Sequence, residues 1–220
     1  MKAFAPLFVS ILLAAWHPVH GQPTFEERLS KAQAGDVQAQ FNLGSAYDSG
    51  IGVAANSAEA EKWYRRAAEA GHAEAQNSLG SLLQTRKDYS EAYSWYGRAA
   101  AQGHVFGTHN LAYLIDLGLG VTQDRRKAVE LYMRAAEQGW AESMWNLANT
   151  YGAGLLGQKD LLLACVWTYR ARRFARPHEQ VLITRTESTL ARLERILPGY
   201  QMLACKQRGS DWQPNKKPEG

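Results

Sequence analysis

The sequence predicts an all-α chain built from antiparallel helix pairs stacked one on the next, and three observations carry that prediction. Glycines at Gly35, Gly71, Gly103 and Gly139 stand 36, 32 and 36 residues apart. A period of this length marks repeated supersecondary units stacked into one array. Eight residues beyond each glycine comes a leucine (Leu43, Leu79, Leu111, Leu147), and the next residue is always small: Gly44, Gly80, Ala112 or Ala148. A second half of each unit is anchored by Ala60, Ala92, Ala128 and Ala164, with Trp63, Trp95, Leu131 and Trp167 three residues on and Ala67, Ala99, Ala135 and Ala171 seven on. Spacings of three, four and seven place these residues on single helical stripes, so each unit reads as two amphipathic helices back to back.

Residues 1–21 carry Lys2 as their only charge and an apolar run from Ala3 to Trp16. They are expected to be a secretory signal peptide, cleaved before Gln22. The run is about 14 residues long, where a membrane-spanning helix needs roughly 20, so no transmembrane segment is predicted. Residues 22–34 are expected to form an opening cap helix, with a capping box from Thr24 to Glu27. Residues 35–175 hold four repeats. In each, Asn56, Asp88, Asp124 or Asp160 stands four residues before the anchoring alanine, where its side chain can cap the second helix. The second unit lacks the Gly-x-Gly loop of Gly50-Ile51-Gly52 and Gly118-Leu119-Gly120, so its inner turn is expected to be tighter. Residues 176–209 read as closing helices, one through Val181, Leu190, Leu193 and Leu197 and a shorter one from Pro198, and residues 210–220 as a flexible tail.

The segments Gly71-His72-Ala73-Glu74-Ala75-Gln76-Asn77-Ser78-Leu79-Gly80, Tyr47-Asp48-Ser49-Gly50-Ile51-Gly52-Val53 and Trp63-Tyr64-Arg65-Arg66-Ala67-Ala68-Glu69-Ala70 resemble the Sel-one-like (Sel1) repeat family, a close relative of the tetratricopeptide repeats. The resemblance covers four copies. It implies a right-handed α-solenoid used as a protein-interaction scaffold, often in the bacterial envelope, with no catalytic motif of its own. The fourth copy departs at Thr168 and Arg172, where the others carry tyrosine and alanine.

Composition narrows the function classes. The net charge of +4, from 25 basic and 21 acidic residues, is too balanced to point to nucleic acid. The charge is uneven, however: residues 22–159 sum to −2 and residues 160–220 to +5. The basic end is either a solvated surface or a weak contact for an anionic one. No phosphate-binding glycine loop, zinc-protease or serine-hydrolase motif occurs, and no cofactor is expected. His72 and His104 fill the same turn position in two units and are expected to be structural. A column of Arg66, Arg98, Arg134 and Arg170 recurs in the last turn of the second helices, where a cation complements the helix dipole. Cys165 and Cys205 are the only two cysteines, in a chain expected in an oxidising compartment, so they are either bridged or two buried free thiols.

The candidate site lies on the first helices. In stacked helix pairs these line the concave face, and the positions opposite their leucine stripe hold Phe41 and Ser45; Asn77; Phe106, His109 and Tyr113; then Trp145 and Asn149. Such a varied, aromatic-rich column is either a binding groove or packing between neighbouring first helices. The expectation is a periplasmic, alternatively secreted, non-catalytic scaffold that binds another envelope protein or peptide there, with aromatic anchors and Asn and Ser side chains orienting it. The alternatives are an enzyme directed at the cell wall or β-lactams, and a structural subunit of an envelope assembly such as a flagellar ring.

Overall fold

A computed structural model describes residues 24–214. The expected signal peptide at 1–21 lies outside that range, as do the last six residues of the tail.

The described residues form eleven α-helices: α1 (Phe25–Gln33), α2 (Val37–Ser49), α3 (Ser57–Glu69), α4 (Ala73–Thr85), α5 (Tyr89–Ala101), α6 (Val105–Leu117), α7 (Arg125–Glu137), α8 (Ala141–Ala153), α9 (Leu161–Phe174), α10 (Gln180–Ile196) and α11 (Gly199–Ser210). The pairs α2/α3, α4/α5, α6/α7 and α8/α9 are the four repeats, and every helix from α1 to α10 packs on the next in the chain. No helix among the described residues is long and apolar enough to cross a membrane.

The junctions between units share one mechanism. The glycines Gly35, Gly71, Gly103 and Gly139 all sit in the left-handed region, at φ 96°, 92°, 78° and 87°. The next N–H then turns back on the helix it has left: His72 N–H donates to Ala67 O at 3.0 Å, and His104 and Trp140 donate to Ala99 O and Ala135 O at 3.1 Å. This satisfies carbonyls that the helix end orphans. A Cβ on Gly35, Gly71 or Gly103 would meet nothing within 4 Å; the glycine is required by its φ and not by space.

Inside each unit, small residues let the helices approach. A Cβ on Gly44 would lie 2.6 Å from Tyr64 Cδ1, and one on Gly80 2.7 Å from Tyr96 Cε1. The tyrosine ring thus lies directly on the first helix's backbone, and with Trp63, Trp95, Leu131 and Trp167 it supplies most of the bulk in an alanine-rich core. The outer faces of the tryptophans are covered by the arginine column. The guanidinium carbons of Arg66, Arg98 and Arg170 stand 4.6, 4.5 and 4.6 Å from the centroids of Trp63, Trp95 and Trp167. In the third unit leucine replaces tryptophan, and Arg134 donates instead to Ala100 O at 3.4 Å. The column is therefore part of the fold, a cation on the face of each indole.

Three of the four expected second-helix caps form. Asn56, Asp124 and Asp160 accept from backbone N–H groups of their own first turns. Asp88 does not: the second unit's short turn holds it at ψ 57°, and its carboxylate pairs with Arg86 at 3.3 Å. In the same turn Lys87, at φ 68°, is the one non-glycine residue in the left-handed region among the described residues.

The C-terminal end breaks the pattern. α9 ends on Ala175 in extended backbone with no glycine turn. The 17-residue α10 packs on α9 as a fifth unit's first helix would, but α11 lies along α9 instead of completing a pair with α10. Cys165 of α9 and Cys205 of α11 are joined by a disulfide with Cα atoms 5.8 Å apart. The flexible tail expected from residue 210 is tied down as far as Trp212, whose ring packs edge-on against Phe174 and Trp167 at 5.5 and 6.2 Å between centroids. Arg173 donates to Ser210 O and Trp212 O at 2.6 and 2.9 Å. Arg170 lies against both the Trp167 and Trp212 indoles, 4.6 and 4.8 Å from their centroids, and burial and the neighbouring Arg208 lower its pKa to about 10.

Candidate binding face

The first helices bury one stripe against the second helices and leave another open. The open stripe runs through Gln38, Asn42, Ser45 and Ser49 on α2; Glu74, Ser78, Ser81 and Thr85 on α4; Phe106, Asn110, Tyr113 and Leu117 on α6; and Glu142, Asn146, Asn149 and Ala153 on α8, at exposures from half-buried to open. Charge is sparse, with Glu74 and Glu142 the only carboxylates. Asn42, Asn110 and Asn146 share one register, seven residues past the turn glycine, with Ser78 in the second unit.

The predicted aromatic column divides in two. Phe41 stacks on His72 of the next unit at 4.8 Å and lies 5.8 Å from Tyr64. Phe106 meets Trp140 edge-on at 4.6 Å and His104 at 5.6 Å. His109 is held between units, its Nδ1 2.8 Å from Ser143 Oγ and its ring 5.6 Å from Tyr132. Burial alone lowers the His109 pKa to about 4, so the ring is neutral at pH 7. These three residues serve the packing between units. Tyr113, 38% exposed, and Asn149 lie on the open face, with Ser45 half-exposed at its N-terminal end and Trp145 half-buried at its C-terminal end. Asn77 accepts from Asn110 Nδ2 at 3.0 Å and so bridges α4 and α6.

Two features of the face escape a reading of the first helices alone. The tyrosine hydroxyls of the second helices meet first-helix side chains beside it: Tyr64 donates to Asp48 at 3.4 Å and Tyr96 to Gln84 at 2.9 Å. Tyr132 Oη is buried with no hydrogen-bond partner among the described residues, and burial pushes its pKa up, so it remains a proton donor. The sequence signal for the asparagine column is the register set by the turn glycines, one residue beyond Phe41, His109 and Trp145. The second feature is the cleft between α8 and α10, about 670 Å³, lined by Trp145, Val181, Thr184, Arg185 and Ser188. Its α10 wall could not be placed without knowing how the closing helix docks.

The histidines at the unit boundaries act as helix caps. His72 Nδ1 accepts from Ala75 N–H at 3.2 Å while its Nε2 lies 3.2 Å from Gln38 Oε1. His104 Nδ1 accepts from Gly107 N–H at 3.1 Å, and burial lowers its pKa. Among the described residues no cluster of His, Cys, Asp or Glu has the geometry to hold a metal.

A stack of four helix pairs with one stripe of the first helices left open defines an α-solenoid repeat protein. The Sel1 repeat model matches residues 37–72, 73–104, 106–140 and 141–173. The chain belongs to the Sel1 repeat family, whose repeats form scaffolds for protein–protein interaction. Among solved structures it is similar to c5321, a protective antigen of uropathogenic Escherichia coli displaying an SLR fold, with a TM-score of 0.76 and 27% identity, covering 84% of this chain and 39% of that one. It is also similar to a Sel1 repeat protein from Oxalobacter formigenes, with a TM-score of 0.64 and 36% identity, covering 69% of this chain and 64% of that one. A curated relative, chitin synthase regulatory factor 3 of Schizosaccharomyces pombe, is 39% identical over 64 residues, which are 29% of this chain and 7% of the relative. The chain thus spans less than two thirds of each of these relatives.

Proposed function

We propose that the chain is exported to the periplasm, or alternatively secreted, and there holds a partner protein or peptide on the concave face made by its first helices, without chemistry of its own. The observation that carries this reading is the run of Asn, Ser and Thr side chains on the four first helices, with Tyr113 exposed among them and Glu74 and Glu142 as the stripe's two carboxylates. Amide and hydroxyl groups donate and accept without a charge to desolvate, which suits the backbone of a bound segment, and an exposed tyrosine supplies apolar area at low entropic expense.

Photo-crosslinking in the producing cell tests it. A photoreactive side chain at Ser81 or Asn149 is expected to capture a discrete partner from the envelope fraction, while one at Glu130, on the outer side of α7, captures none. Equal capture from both sides overturns the face. The same preparation, measured by intact mass, is expected to begin at or near Gln22. Hydrolysis of a chromogenic β-lactam or of peptidoglycan fragments by the purified mature chain would overturn the non-catalytic reading.

A further inference from the structure

The two sides of α10 differ in what their charges do. Every carboxylate of this helix and its lead-in is engaged: Glu179 with Arg176 at 2.8 Å, Glu187 with Arg172 at 2.7 Å and Glu194 with Lys206 at 3.2 Å. Arg185 and Arg192 make no ion pair among the described residues, and their spacing of seven puts both on one helical face. Arg185 lines the cleft that Trp145 floors. One turn before it stands Val181, 65% exposed, so an apolar surface and an uncommitted guanidinium lie side by side at the rim. Ser188 adds a hydroxyl donor on the same wall, whereas the Thr184 hydroxyl already donates to Gln180 O at 2.9 Å. Glu142, one turn before Trp145 on α8, makes no ion pair with Arg185; burial and Glu179 raise its pKa, against the opposing charge of Arg185.

We propose that this cleft receives the C-terminal residue of an extended partner segment, its apolar side chain on Trp145 and Val181 and its free carboxylate on Arg185. A terminal residue carries both groups on one Cα. Within an extended chain adjacent side chains point to opposite faces, and residues two apart share a face but stand about 6.5 Å from each other, so an internal acidic–apolar pair does not bring both groups to one point of the cleft. The guanidinium fork matches a carboxylate's two oxygens, which gives the contact direction as well as attraction. Arg192, further along the same face, favours an acidic residue upstream of the terminus. This inference rests on the scaffold reading and sharpens it by naming what the C-terminal end of the face holds.

The test uses the mature chain and labelled peptides measured by fluorescence anisotropy. The probe is Gly-Ser-Gly-Asp-Gly-Leu with a free carboxylate, compared with its C-terminal amide, with a form ending in Ser, and with the amidated internal arrangement Gly-Leu-Gly-Asp-Gly-Ser. The free acid ending in Leu is expected to bind about tenfold or more tightly than each of the other three. In Arg185→Gln the free acid and the amide are expected to bind within about twofold of each other, with the melting temperature unchanged. In Arg126→Gln, on the outer side of α7, the discrimination is expected to persist. Equal binding of acid and amide, equal binding of the internal peptide, or no binding of the free acid at millimolar concentration overturns the proposal. If the peptides fail while Ser81 and Asn149 still crosslink a partner, this cleft assignment falls alone. If the crosslinks fail while the free acid binds as described, the cleft stands and the extended face falls.

Discussion

The internal junctions and the last junction begin from the same kind of second helix and finish it differently. After α3, α5 and α7 a left-handed glycine reverses the chain, and the next first helix arrives at a fixed angle. After α9 there is no such glycine; Arg176-Pro177 leads into a longer helix, and α11 folds back onto α9 under a disulfide. The internal units are held by the same interaction made several times, and the end by interactions made once. A repeat array needs no special device where each unit has a neighbour on both sides, but its terminal unit must cover a face evolved to be buried. Here α11, the disulfide and Trp212 do the covering, and α10 is left with one side free.

Removing a tryptophan from an internal unit should produce the largest effect. Trp95 is 6% exposed between α5 and its neighbours, and Trp95→Ala is expected to cost about 3–5 kcal/mol in denaturant unfolding. A loss under about 1 kcal/mol would mean that the units do not share one cooperative core.

At the end of the stack, the bond between Cys165 and Cys205 closes a loop of 40 residues. Cys205→Ser is expected to cost about 2–4 kcal/mol, with the loss concentrated in α11 and the tail. Thiol labelling of denatured, unreduced protein is expected to find no free thiol; two per chain would rule the bond out. Hydrogen exchange would sharpen the contrast: α11 amides should lose protection in the variant while those of α4 and α6 keep theirs.

Acid should act on the internal junctions first. The folded His109 titrates at about 4, against 6.5 for the free side chain. Between those values the unfolded chain takes up a proton that the folded one refuses, so stability falls with pH from about 6.5 to about 4 and levels off below. The full shift amounts to about 3 kcal/mol as an upper figure. His104 adds in the same direction, since its depressed pKa accompanies a cap in which the unprotonated Nδ1 accepts. His109→Gln is expected to flatten that slope of unfolding free energy against pH; an unchanged slope would place the acid sensitivity elsewhere.

The sequence made the repeats legible because each unit repeats the same chemistry, so four weak helix signals add up to one strong period. The opening cap was legible for a local reason, the Thr24 and Glu27 capping box, which forms with hydrogen bonds at 3.2 and 2.8 Å. The candidate face was only partly legible. Phe41, Phe106 and Tyr113 look alike in a helical projection, and which of them packs depends on the next unit's boundary residue, His72 or Trp140, stepping under the ring. That is a contact between units, and no single-helix periodicity contains it. The cleft beside α10 lies further from the sequence still, since it depends on how a non-repeating helix docks. Asp88 does not cap because a good capping residue still needs the right backbone before it, and a turn shortened by four residues does not provide it.

That shortened turn also supplies the smallest expected effect. The first helices α2, α6 and α8 end on Gly50, Gly118 and Gly154 in the left-handed region, whereas in the second unit the cap residue Arg86 is right-handed and the left-handed residue is the next one, Lys87, at φ 68°. A side chain at such φ brings its Cβ close to the following carbonyl, at a cost of roughly 1 kcal/mol relative to glycine. Glycine also makes the unfolded chain more flexible, which offsets part of the relief. Lys87→Gly is therefore expected to stabilise by about 0.5 kcal/mol, because strain relief exceeds the added entropy. The Lys87 side chain is exposed and makes no ion pair among the described residues, so little else is lost with it. Lys87→Ala is the control: it removes the same side chain but keeps the Cβ, and should leave stability within about 0.3 kcal/mol of the parent. If the two variants shift together, the side chain and not the backbone sets the effect, and the short turn of the second unit is as relaxed as the glycine turns of its neighbours.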